Sequence, residues 1–132
     1  MPTIKNAELI ISTDRPSDRA SVVVSCDVEF TEVEVNAMDV LGLRYTLSCR
    51  VLNQYLLDED PVVTYGARHY PRQDEMARRY EHAVFEANVD MDSMHERLFG
   101  KDKLVAELTL RNDETRAENV ARTNETAVDL AA

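Results

Sequence analysis

From Leu41 through Val51 every odd position is apolar: Leu41, Leu43, Tyr45, Leu47, Cys49 and Val51. Gly42, Arg44, Thr46, Ser48 and Arg50 fill the even positions between them. A period of two belongs to a strand with one dry and one wet face, because a helix brings residues three and four apart to the same side. The stretch Leu41 to Leu56 is therefore expected to be the central strand of an antiparallel β protein.

The rest of the chain repeats this pattern. Ala7, Leu9 and Ile11 alternate ahead of a turn-rich segment, Thr13 to Asp18. Val22, Val24, Cys26, Val28 and Phe30 then alternate on even positions, and Val33, Val35 and Ala37 on odd ones. A phase slip of one residue at Thr31-Glu32 is what a β-bulge produces, so Ala20 to Ala37 reads as one long bent strand. A hairpin at Ala37-Met38-Asp39 would join it to the central strand. Further strands are expected over Val62 to Tyr70, Tyr80 to Met91, Leu104 to Leu110 and, at an edge, Asn119 to Leu130. Pro71 to Arg79 is polar and has room for a helical turn. Ser93-x-x-Glu96 has the form of a capping box, and Gly100 stands where a helix would end.

About seven strands with one short helix in a connection define an all-β fold. With only three glycines in the chain, a tightly curved barrel lacks its corners. The expected architecture is a two-sheet antiparallel, immunoglobulin-like β-sandwich, a likeness of architecture alone. At 132 residues it is expected to form one domain, 1–132, large enough for a core without staples or metals.

Charge narrows the functions. The net charge is −10, and such a surface repels phosphate backbones and anionic lipid heads, which argues against nucleic-acid and membrane-surface roles. The opening residues carry no secretory pattern, and no stretch approaches a membrane span, so a cytoplasmic protein is expected.

Few residues suggest chemistry. His69, His82 and His95 are scattered, with no zinc-type spacing. No serine sits in a nucleophile motif and no glycine-rich phosphate loop exists. Glu32, Glu34 and Glu86 fall on outward strand positions, where Arg44 and its neighbours would pair with them. No catalytic constellation emerges, and the chain is read as not an enzyme, with no cofactor required.

Three readings of function remain. The first is a non-enzymatic binding or assembly module, acting through a protein partner or self-association. Arg68, His69, Tyr70, Arg72, Arg78, Arg79 and Tyr80 would supply contacts, since Arg and Tyr carry much of the energy in protein interfaces. The second is a calcium-dependent, C2-like sandwich using Asp58, Asp60, Asp90 and Asp92 at strand ends, with Asp113-Glu114 in reach if the loops share an end. The third is a closed barrel holding a small apolar ligand.

The hairpin makes one further expectation. It places Phe30 opposite Tyr45, Val28 opposite Leu47, Cys26 opposite Cys49 and Val24 opposite Val51. The two cysteines are then expected to be buried cross-strand neighbours, close enough to bridge on oxidation.

Overall fold

The computed structural model describes residues 1–54, 61–94 and 102–129. Nine strands occupy the described residues: β1 (Thr3–Asp14), β2 (Arg19–Glu29), β3 (Tyr45–Asn53), β4 (Pro61–Thr64), β5 (Arg68–Tyr70), β6 (Tyr80–Asp90), β7 (Asp102–Asn112), β8 (Glu118–Arg122) and β9 (Thr126–Val128). Two helices, α1 (Glu32–Leu41) and α2 (Met91–Met94), lie in connections. The protein is an all-β sandwich of two antiparallel sheets. One has the order β1-β2-β6. The other runs β4-β3-β7-β8, with β5 also on β3 and β9 also on β7. Two open sheets replace the closed barrel of the third reading.

The period-two stretches bury the faces expected of them. Val22, Val24, Cys26 and Val28 of β2, with Ala83 and Phe85 of β6, meet Leu47, Cys49 and Val51 of β3 and Leu104, Ala106, Leu108 and Leu110 of β7. Leu43, also expected inside, is only half-buried, because it precedes β3 in the exit from α1.

The connection from β2 to β3 differs from the expectation. Residues 32–41 are helical, so Ala20 to Ala37 is not one bent strand, and no hairpin turns at Ala37 to Asp39. Thr31 caps the helix: its hydroxyl accepts from the Glu34 N–H, and the Glu34 carboxylate accepts from the Thr31 N–H at 2.8 Å. Gly42 closes the helix with a φ of 74°, a left-handed conformation that glycine adopts without strain. The apparent phase slip is thus the entry to a helix. Glu32 consequently does not oppose Arg44, whose guanidinium donates instead to the Met38 and Leu43 carbonyls.

Because α1 carries the chain from one sheet to the other, β2 and β3 are never neighbours in a sheet. Cys26 pairs with Ala83, and Cys49 with Leu108, which corrects the expected cross-strand cysteine pair. Both thiols are free and buried. Phe30 does meet Tyr45, with ring centroids 5.1 Å apart, but across the interior rather than along a ladder.

Smaller differences follow from local backbone. A bulge does exist, in β1 between Lys5 and Glu8, where Asn6 takes a φ of 54°. The strand expected over Val62 to Tyr70 is broken into β4 and β5, both paired with β3. The last strand is likewise divided into β8 and β9. Residues 71–79 form turns without a helix. The expected helix from Ser93 to Gly100 falls largely outside the described residues, while α2 begins earlier, at Met91. Among the described residues no helix is long and apolar enough to cross a membrane.

Candidate contact groove

β6 is one edge of the first sheet, and β4 and β5 form an edge of the second. Where β5 comes alongside β6 a groove of about 580 Å³ opens between the sheets. Tyr70 and Ala83, both buried, reach its base, and Arg68, His69, Arg72, Gln73 and His82 line its sides. No carboxylate lines it among the described residues, although the chain carries 25 Asp and Glu against 15 Lys and Arg.

The local fold positions each of these side chains. The pairing of β5 with β3 sets Leu47 against Arg68, Thr46 against His69 and Tyr45 against Tyr70. Arg68 reaches across to the first sheet. Its Nη2 donates to the Val84 carbonyl at 2.8 Å, and its guanidinium carbon lies 5.0 Å from the centre of the Phe85 ring. That geometry combines a hydrogen bond to an edge-strand carbonyl with a cation–π contact. Tyr65 packs on Phe85 at 5.5 Å and donates its hydroxyl to the Val22 carbonyl at 2.8 Å, tying the second sheet to β2.

Arg72 pairs through Nε with the nearly buried Glu81 carboxylate at 3.5 Å. Each groove histidine is held by Nδ1. That of His82 lies 2.7 Å from Asp27, and that of His69 lies 3.3 Å from the Thr46 hydroxyl, which itself donates to Asp113 at 2.8 Å. A hydrogen bond from Asn6 and then one from His82 hold the Asp27 carboxyl below the usual carboxylate range. Burial, followed by the nearby Glu81 charge, pushes the Tyr70 phenol up to about 12. Its hydroxyl finds no hydrogen-bond partner among the described residues, and its ring packs edge-on to Phe30.

The fold brings Arg68, His69, Tyr70 and Arg72 together at one groove. Arg78, Arg79 and Tyr80 lie outside its lining, on the return from the loop to β6. There Arg79 stacks over Tyr80 at 5.5 Å, and Arg78 lies 3.9 Å from Glu75. His82 joins the groove from β6, a residue the sequence marked only as one of three scattered histidines. No pattern in the sequence signals that β5 and β6, on different sheets, face one groove.

The loop packs against α1 through the Ala77 N–H, which donates to Asp39 at 2.9 Å. Of nine exposed large apolar side chains among the described residues, four lie on this helix and loop, Val33, Val40, Leu41 and Met76, and a fifth, Tyr80, opens β6 where the loop ends. Val33, Val40 and Leu41, at helical spacings of seven and eight, share one face of α1 and leave it outward.

The carboxylates of the calcium reading are differently placed. Asp58 and Asp60 lie outside the described residues. Asp90 accepts from Arg19 at 2.9 Å, and Asp92 lies in the first turn of α2. This is also the end at which β3 finishes, since the Asn53 amide donates to the Met94 carbonyl at 2.9 Å. Asp113 sits at the opposite end, beside the start of β3, where its N–H donates to the Arg44 carbonyl. The Asp113-Glu114 turn therefore does not join Asp90 and Asp92. Among the described residues no three His, Cys, Asp or Glu side chains converge as metal ligands.

No family model matches the chain, and no curated protein does. The solved structures loosely similar in shape include two described by name. β-Glucosidase 3B from Thermotoga neapolitana, solved with α-D-glucose, aligns with 97% of this chain at 7% identity and a TM-score of 0.36. The chain spans only 17% of that enzyme's length. The structural-genomics target SoR45 aligns with 97% of this chain and 84% of its own, at 8% identity and a TM-score of 0.35. Similarity this loose carries no argument about activity.

Proposed function

We propose that the chain is a non-enzymatic binding module that engages a protein partner through the groove between β5 and β6 and the neighbouring loop and helix. The observation that supports this reading is the meeting, at one end of the sandwich, of a groove with no carboxylate among its described lining residues and most of the exposed large apolar side chains among the described residues. Interfaces draw their energy from buried aromatic, methionine and arginine contacts, with charge settling orientation. Single exposed apolar residues need no explanation, but a concentration of them marks a contact surface.

Three tagged proteins test the reading in the source cells: wild type, Arg72→Glu with Met76→Glu, and Ser12→Glu. Ser12 is exposed on β1, the far edge of the first sheet. A partner held by wild type and Ser12→Glu, lost with the double variant and reconstituted from purified components is the expected result. Equal retention by all three proteins, or no partner on any, would overturn the proposal.

A further inference from the structure

We infer that the groove recognises the carboxylates of an extended acidic peptide segment, an assignment of ligand class that rests on the groove being the contact site. Charge complementarity carries the argument. The protein's long-range field repels anions, yet the groove presents the guanidinium groups of Arg68 and Arg72, flanked by His69 and His82, and no carboxylate among its described lining residues. Glu81 and Asp27 stand behind Arg72 and His82 as partners.

The donors are held in place and incompletely used. A guanidinium has five N–H groups. Arg68 commits one to Val84, and Arg72 engages Glu81 through Nε. With Nδ1 donating to Thr46 or Asp27, each neutral imidazole presents Nε2 as an acceptor, so the two arginines are the groove's donors toward a carboxylate. Fixed arginine forks suit carboxylates, which they bind through paired hydrogen bonds.

Size selects an extended ligand over a compact anion. The groove encloses about 580 Å³ and runs from Ala67 to Gln73 and from His82 to Val84. One phosphate does not fill that space, whereas a peptide segment with acidic side chains at alternate positions does. Arg68 already occupies the Val84 carbonyl, so the peptide is read by its side chains and does not add as a strand to β6 at that point.

The test is a titration of the ¹⁵N-labelled full chain with capped hexaglutamate, with hexalysine and with sodium phosphate, following the amides of residues 68–73 and 82–84. Hexaglutamate is expected to give saturable shifts confined to those residues, weakening from 50 to 200 mM salt as screening grows. Phosphate is expected to bind at least about tenfold more weakly, and hexalysine not to bind there, as charge and span dictate. Gln73→Glu, a change at an exposed position, is expected to cut hexaglutamate affinity about tenfold while the remaining spectrum stays in place.

A silent groove, phosphate binding as tightly as hexaglutamate, or a dimer that fills the groove in sedimentation would each overturn the inference. If the groove is silent while a captured partner still depends on Arg72 and Met76, the ligand class fails and the binding function stands. Hexaglutamate binding where no partner depends on the groove would leave the acidic-ligand site supported and remove the proposed function.

Discussion

Cys26 and Cys49 show how much a single side chain reveals in advance. Alternation alone marks both as inward, and both are buried. Their partners were not legible, because each inward apolar side chain fits many registers equally well. Burial, then the neighbouring Asp27 charge, pushes the Cys26 thiol up to about 11. Burial, then the proximity of Cys26, pushes Cys49 up to about 12. Both thiols should therefore resist iodoacetamide at pH 8 in the native protein and react promptly in denaturant, since the thiolate is the nucleophile. Prompt native alkylation of either would contradict its placement.

Glu107 makes a second prediction at this scale. Burial would raise its pKa, but hydrogen bonds from Arg50 and Arg122 outweigh burial and hold it below the usual glutamate value. A depressed folded value contributes stability above the ordinary glutamate range and loses it as pH falls through the folded value. Urea midpoints measured from pH 6 to 3 should fall along that limb, and more shallowly in Glu107→Gln. Parallel limbs in the two proteins would show that the Arg50 and Arg122 bonds contribute no pH-dependent stability.

Among the elements, β2, β3, β6 and β7 were legible because long period-two runs leave one option for which face is dry. The segment from Thr31 to Leu41 was not. Val33, Val35 and Ala37 alternate like a strand, while Val33, Ala37, Val40 and Leu41 also lie along one helix face, an ambiguity inherent in short apolar runs. The deciding signal was present in Thr31-x-x-Glu34, a capping box as clear as the one at Ser93. Thr31→Ala should cost about 1 kcal/mol in urea unfolding, the usual value of such a cap. A loss within error would mean that the cap adds nothing to α1. In the core, Phe85→Ala should cost about 3–5 kcal/mol and Leu108→Ala about 2–5 kcal/mol.

The edge of β6 carries its own prediction. Open edges invite pairing with other chains, and proteins blunt them with charge. Arg68 covers the Val84 carbonyl in the middle of that edge. Arg68→Ala should self-associate more than wild type in sedimentation velocity at equal concentration. Identical profiles would mean that the arginine guards nothing.

At the scale of the molecule, two sheets were legible and their membership was not. Which strand joins which sheet depends on α1, and reading that segment as strand placed β2 beside β3. The groove was half legible. The cluster of Arg and aromatic residues from Arg68 to Arg72 stood out in sequence, while His82 entered only through a neighbourhood between sheets that local patterning does not encode.

The contact surface requires Arg68 of the second sheet to lie on Phe85 of the first, with the guanidinium 5.0 Å from the ring centre. One measurement addresses this directly: the nuclear Overhauser contacts and ring-current shifts of the Arg68 side chain in the labelled protein. The account predicts upfield-shifted Arg68 δ protons with contacts to the Phe85 ring, alongside helical contacts over residues 32–41. Arg68 protons at unperturbed shifts without Phe85 contacts, together with direct strand contacts between Cys26 and Cys49, would contradict both the topology and the groove.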